Sequence, residues 1–293
     1  MAIVQTTATA RHAGEAPKRR RRLGRTSPAA YLAAIVVAGL TALPLLFVII
    51  DGFRSTPDIN SKPVGWPSPW RLGNYSGILG DQQFWRFLGN SAQIAVVSTA
   101  LAVGFGAMAA FALSRYRFAG REALYGFFVL GLLLPPAVAA LPLRLWMSRL
   151  HMLDNIYGLG VAEAAFALPV TIVILRPFMA AVPVELEDAA VIDGAGRLGF
   201  FWRILLPLST PALATVGVLA FVTSWNSYLL PLLVFDQPEH FTLPLGVATF
   251  QSQYSQDTAK VMAFTALSIA PAVLFLVFAE RRIVDGLTGA VKG

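Results

Sequence analysis

The sequence predicts an all-α membrane protein with six spanning helices. Three observations carry that expectation: a composition poor in charge, six apolar stretches of spanning length, and basic residues gathered on one side of them. Of 293 residues, 56% are hydrophobic and 13% charged, and the mean hydropathy is +0.63. A soluble domain carries about 25% charged residues, so most of this chain is made to face something other than water.

The apolar stretches run over 29–50, 90–114, 123–143, 155–175, 208–232 and 261–279. A hydrocarbon core about 30 Å thick needs about 20 helical residues, and each stretch meets that length. The interior prolines Pro44, Pro135, Pro136, Pro142, Pro169 and Pro271 are expected to leave these helices intact, because neighbouring helices satisfy the freed carbonyls in a membrane. The first stretch has the basic flank of a signal peptide. It is longer than a signal core, however, and ends in Val48-Ile49-Ile50-Asp51 rather than in small residues, which predicts a retained anchor. Residues 1–28 are polar and basic without apolar period and read as a disordered cytoplasmic tail. Residues 29–293 read as one six-helix transmembrane domain, with no internal repeat.

Orientation follows from Lys and Arg. Sixteen of the 23 fall in segments 1–28, 115–122, 176–207 and 280–293, and seven in 51–89, 144–154 and 233–260. The basic-rich set belongs inside, which places both termini in the cytoplasm of a multi-pass protein of the bacterial plasma membrane. Trp66, Trp70 and Trp85 on the first outer segment suit a membrane interface. The net charge of +7 is distributed as topology-setting charge against anionic lipid rather than as a face for nucleic acid, which is not expected as a partner.

Several chemistries are excluded by residue type. There is no cysteine, hence no disulfide, thiolate ligand or thiol nucleophile. A phosphate-gripping loop needs Gly before its Lys, whereas Lys18, Lys62, Lys260 and Lys292 follow Pro, Ser, Ala and Val. His12, His151 and His240 are too scattered for a metal site, and no G-x-S-x-G elbow occurs. The chain is therefore expected to be no enzyme and to hold no cofactor of its own. Glu163 is the one carboxylate well inside an apolar stretch. It is either a bonded structural group or a polar group on a transport path.

The segment 176–207 interrupts the apolar pattern. Pro183 suits a first helical position, and Glu185, Glu187 and Asp188 suit the positive end of a helix dipole. Gly194 suits a left-handed stop. A helix of about ten residues is predicted over 183–194, with Leu186, Ala189, Ala190 and Asp193 on one side. It is either a docking element or an amphipathic connector lying on lipid.

Asp188-Ala189-Ala190, then Gly194, Ile204 and Leu206-Pro207 resemble the EAA loop of ABC-importer permeases, with Asp188 where that family usually has Glu and with Glu187 just before it. Residues 72–293 are similar to the carbohydrate-importer branch that includes the smaller permease of the maltose importer. Asn90-Ser91 at the opening of the second span, Ala112 to Phe118 with Gly120-Arg121 at its exit, Trp225 to Leu232, and Gly286-Leu287-Thr288 through Val291-Lys292-Gly293 carry that similarity. Arg176-Pro177-Phe178 departs from it, because a glutamine commonly follows the arginine; the proline is expected to bend the end of the fourth helix.

The resemblance implies a type I importer permease that forms half of a translocation pathway with a second permease subunit. Two ATPase subunits would bind ATP and Mg, and an extracytoplasmic sugar-binding protein would deliver the sugar. Glu187, Asp188, Ala189, Ala190, Asp193 and Gly194 would couple to an ATPase within a coupling loop 183–207. The outer loop 233–260 would meet the binding protein, and Lys292 and Gly293 would reach the ATPases. Trp225, Asn226 and Tyr228, with Glu163, are candidates for the substrate path; helix ties and packing are the alternative for them. Other readings are an ABC permease for a glycerophosphate or small peptide, and an ion-coupled secondary carrier.

Overall fold

A computed structural model describes residues 28–247 and 257–291, with side chains in the second stretch through Phe278. The expected tail, the middle of the 233–260 loop, Lys292 and Gly293 lie outside the described residues. Among those described there is no strand.

The chain divides into two units at Leu45/Leu46. The first holds most of α1 (Pro28–Asp51), an uninterrupted apolar helix despite Pro44. The second opens with short helices α2 (Thr56–Ser61) and α3 (Gly73–Gly80), followed by α4 (Gln82–Arg115), α5 (Arg121–Gly131), α6 (Pro136–Arg149) and α7 (Ile156–Ala180). Next come α8 (Glu185–Ile192) and α9 (Arg197–Phe200), a π-helical turn over Phe201–Leu205, α10 (Leu206–Leu208), α11 (Thr210–Trp225), α12 (Leu229–Val234), α13 (Leu243–Gly246) and α14 (Thr258–Val291).

Among the described residues, four helices are long and apolar enough to span a bilayer by themselves: α1, α4, α7 and α14. There are six spans if each of two bent pairs counts as one. In the first pair, α5 and α6 meet at 101°. The expectation that prolines leave every span intact fails here. Two consecutive prolines remove two N–H donors, and Pro136 restricts Pro135 to an extended conformation, ψ 129°, so the helix stops at Gly131 and restarts at Pro136. Isolated Pro142, Pro169 and Pro271 stay inside helices, and α7 includes Pro177 and runs on to Ala180. In the second pair the segment Arg197–Leu208 turns 78° into α11. The fifth apolar stretch is also shorter as a helix than expected: α11 stops at Trp225, and Asn226 to Tyr228 separate it from α12.

The centre of the second unit is α4 packed along α7, with α11 against both. Gly160 makes the close approach possible, because a Cβ there would sit 2.9 Å from Val97 Cγ1. Small residues at such crossings are the means by which helices associate where lipid offers no hydrophobic drive. At the Arg115 end of α4, a buried cluster joins Phe111, Leu175, Met179, Phe200, Phe201 and Leu205. At its Gln82 end, Phe84, Phe87, Trp225, Leu243 and Phe264 form another.

The second span starts earlier than expected, at Gln82 under an Asp81 cap whose side chain accepts from Gln83 N. Asn90 and Ser91 are therefore interior rather than opening residues. Asn90 Nδ2 donates to the carbonyls of Glu239 and Phe241 at 2.8 and 3.0 Å, and Ser91 Oγ accepts from Leu243 N at 2.8 Å. They tie the loop after α12 to the span.

Candidate coupling site

Helix α8 lies at the Arg115 end of α4. It is eight residues long, shorter than the ten expected, because Val184 is the cap and Pro183 precedes it rather than filling the first helical position. Glu185, Glu187 and Asp188 occupy its first turn, where the helix dipole favours negative charge. Its other end is closed as expected. Gly194 has φ +78°, Ala195 N donates to Ala190 O at 2.8 Å, and Gly194 N donates to Val191 O at 3.0 Å. That pair of bonds is the Schellman stop, which needs a left-handed residue and so favours glycine.

The first-turn acids face different ways. Glu187 is half-buried and its carboxylate lies 3.9 Å from Arg115 Nη1. Asp188 is exposed. Arg115, the last residue of α4, also donates through Nη2 to Val182 O at 2.7 Å and lies over the Phe200 ring at 5.7 Å. Its Nε has no partner. Beside it Tyr116 is covered by Arg197, 4.7 Å from its ring; burial, with Glu187 adding to it, pushes the Tyr116 phenol up.

The alanines divide likewise. Ala190 is buried in the Phe200 and Phe201 cluster, so it fastens α8 to its own subunit. Ala189, Asp193 and Gly194 are exposed. The outward face is more apolar than the sequence suggested, with Val191 61% and Ile192 86% exposed, and Leu198 in α9 is exposed as well.

The path candidates are dispersed. Glu163, in α7, is buried and accepts a hydrogen bond from Ser224 of α11. Trp225 is buried and donates to Ser268 O at 3.2 Å. Asn226 Nδ2 bonds back to Val222 O at 2.9 Å. Tyr228 is exposed at the break. Glu163 is linked to the α11 end through Ser224; the other three are not assembled into one site.

Residues 102–286 match the family described as the inner membrane component of binding-protein-dependent transport systems. The chain belongs to that family. It is a transport component and a multi-pass membrane protein. Among its relatives, a diacetylchitobiose uptake system permease protein of Streptomyces coelicolor is 31% identical over 251 residues, covering 85% of this chain and 83% of that protein. A trehalose transport system permease protein of Mycobacterium tuberculosis is 34% identical over 261 residues, covering 88% and 95%. In fold, this permease is similar to a chain in the crystal structure of a bacterial ABC transporter involved in the import of the acidic polysaccharide alginate. The TM-score is 0.72 at 22% identity, covering 88% of this chain and 98% of the other. The similarity supports the expected type I permease architecture.

Three side-chain arrangements in this permease were not anticipated. In the sequence Arg115 stands only as part of the motif at the exit of the second span. Arg176 reaches Glu122 Oε1 at 2.5 Å and Leu113 O at 3.2 Å, and stacks 3.9 Å from the Tyr125 ring, binding α7 to α5 and α4. Arg144 bonds Asp236 at 3.0 Å and also reaches Leu233 O, while Asp154 accepts from the N–H groups of Asp236 and Gln237 at 2.8 and 3.0 Å. Arginines near the ends of apolar stretches were the available signal; their hydrogen-bond partners lie 54 to 92 residues away in sequence.

Proposed function

We propose that this permease is one of two different membrane subunits of an ATP-driven sugar importer and that α8 is the element seated in a cleft of an ATPase subunit. The observation that carries the reading is the construction of α8. Ala190, Glu187 and the Gly194 stop fix it on the inside, while Asp188, Val191 and Ile192 are left bare on the outside. An apolar patch rimmed by charge on a rigid, short helix marks a protein contact. A connector lying on anionic lipid would present lysines, and α8 carries three acids and no base.

In this reading the α8 end faces the cytoplasm, as do both termini, in keeping with the excess of Lys and Arg there. The second permease completes the pathway, two ATPase subunits bind ATP and Mg, and an extracytoplasmic sugar-binding protein meets the loop 233–260 at the other end. Lys292 and Gly293 remain candidates for ATPase contact. The diacetylchitobiose and trehalose relatives support a sugar as the substrate. On the path, Tyr228 is the candidate left open to a ligand, since Trp225 and Asn226 are already bonded within the subunit.

The mechanism follows from the geometry. ATP-driven closure of two ATPase subunits displaces the seated α8. The buried cluster of Ala190, Phe200 and Phe201 moves with it and carries α4, α7 and α11, so the pathway opens alternately to each side.

The test is affinity purification in mild detergent, reading which ATPase and binding proteins accompany the permease and whether sugar is transported. Asp188→Lys is expected to insert normally, lose the ATPase and lose sugar-stimulated ATP hydrolysis. Asp188→Glu is expected to keep both. Normal transport by Asp188→Lys would sink the docking assignment.

A further inference from the structure

The geometry points to Arg115 as the positioning residue that transmits movement of α8 to α4, with the Val182 carbonyl as its fixed anchor and Glu187 as its adjustable one. The inference rests on the docking of α8 proposed above.

Three separate pieces of the loop converge on this one side chain. Val182 lies before α8 and accepts a 2.7 Å bond; Glu187 is in the first turn of α8; Phe200, after α8, lies beneath the guanidinium. The Arg115 side chain is 4% exposed, and a buried guanidinium is costly unless its donors are used. Yet they are not all used. Nε has no partner, and the Glu187 carboxylate stands at 3.9 Å, beyond hydrogen-bond length. The guanidinium is thus pinned at one point, with Nε unpaired and Nη1 opposite a carboxylate that is one-fifth exposed. A small rotation of α8 about the Val182 anchor would close Glu187 onto Arg115. The closed pair would make α4 follow α8 directly, and α4 is the helix most extensively packed against α7 and α11.

This also explains the adjacent acids at 187 and 188. Glu187 serves the contact within the subunit, and Asp188 serves the partner.

The experiment uses the assembled transporter in proteoliposomes and measures sugar transported per ATP hydrolysed, alongside ATPase retention. Arg115→Gln is expected to retain the ATPase subunits while transport per ATP falls about tenfold, and Arg115→Lys, which keeps the charge and a donor to Val182, is expected to recover part of that loss. A purely structural role would lower complex recovery and leave the ratio of transport to hydrolysis unchanged, and that result would overturn the inference. Should Arg115→Gln not assemble, Glu187→Gln decides: its position is partly exposed, and transport per ATP is expected to fall about threefold with the ATPase retained. An unchanged ratio, or loss of the ATPase itself, would place Glu187 on the partner's side and overturn the inference. Failure of the docking reading is separate, because it appears as undiminished ATPase retention in Asp188→Lys.

Discussion

Two buried arginines stand at opposite ends of the second unit and are held in contrasting ways. Arg54, at the Gln82 end of α4, is 1% exposed and saturated. Its Nε donates to Asp58 at 2.8 Å, Nη1 to Asp51 at 3.0 Å, and Nη2 to the carbonyls of Asp58 and Lys62 at 3.0 and 2.6 Å. Asn74 brackets the same turn by donating to the carbonyls of Gly52 and Arg54, both at 2.9 Å. Arg115, whose side chain is 4% exposed, has one short bond, one long ion pair and an idle Nε. A saturated guanidinium has one low-energy arrangement, because any displacement leaves a buried charge or carbonyl unpaired. An unsaturated one has a second arrangement within reach. The first end is built to keep its shape and the second to change it.

The largest effect separates the two directly. Arg54→Ala strands the buried Asp51 carboxylate and two carbonyls, and is expected to destabilise the detergent-purified permease by about 3–5 kcal/mol. Arg115→Ala, which removes one short bond, is expected to cost about 1–3 kcal/mol. Thermal unfolding of both variants checks the order; an equal loss at Arg115 would break the comparison.

A second effect tests the movable end without touching Arg115. A Cβ at Gly194 would meet no atom within 4 Å, so Gly194→Val is penalised through its positive φ, by about 1–2 kcal/mol. The variant is expected to insert normally, while sugar-stimulated ATP hydrolysis drops because α8 leaves its stop at a different angle. Gly194→Asn, which tolerates the left-handed region better, should stay nearer wild type. Equal activity in all three proteins would show that the exit angle of α8 is immaterial.

The smallest effect sharpens the account of the fixed end. The bond from Arg54 holds the Asp58 carboxyl below its ordinary value. A depressed folded value means that this contribution is fully present above the unfolded carboxylate pKa of about 4 and is lost as pH falls through the lowered value. Acidification from pH 5 to 3 (about one unit either side of that value) should loosen the turn in the wild type by more than in Asp58→Asn. Limited proteolysis at residues 55–65 across that range reads the difference. Parallel pH profiles would show that Asp58 adds nothing to the clasp.

The movable end was the more legible of the two in sequence. Its acids, its alanines and Gly194 fall at fixed spacing within one short helix, and their helical register is a local property. The clasp at Arg54 gave no such sign: its partners are near in sequence, but Asp58 and Lys62 belong to a short segment without apolar period, and Asp51 lies across the turn at Gly52. A Cβ there would collide with the Tyr75 side chain and the Ala263 backbone.

Apolar length and the spread of Lys and Arg, both sums over neighbouring residues, were enough to predict an all-α membrane chain with spanning helices and a helical interruption after the fourth apolar stretch. The left-handed Gly194 was likewise determined by its own lack of a Cβ. Tertiary structure decided what depends on which surfaces meet. It kept α7 helical through Pro169 and Pro177. It turned Ala190 and Glu187 inward and left Asp188 outward. It bonded Glu163 to Ser224, and it converted Asn90 and Ser91 from the opening of a helix into anchors for a loop about 150 residues downstream. A side chain's burial and partners are set by helices packed from distant parts of the chain, and local sequence carries only the capacity to bond, not the identity of the partner.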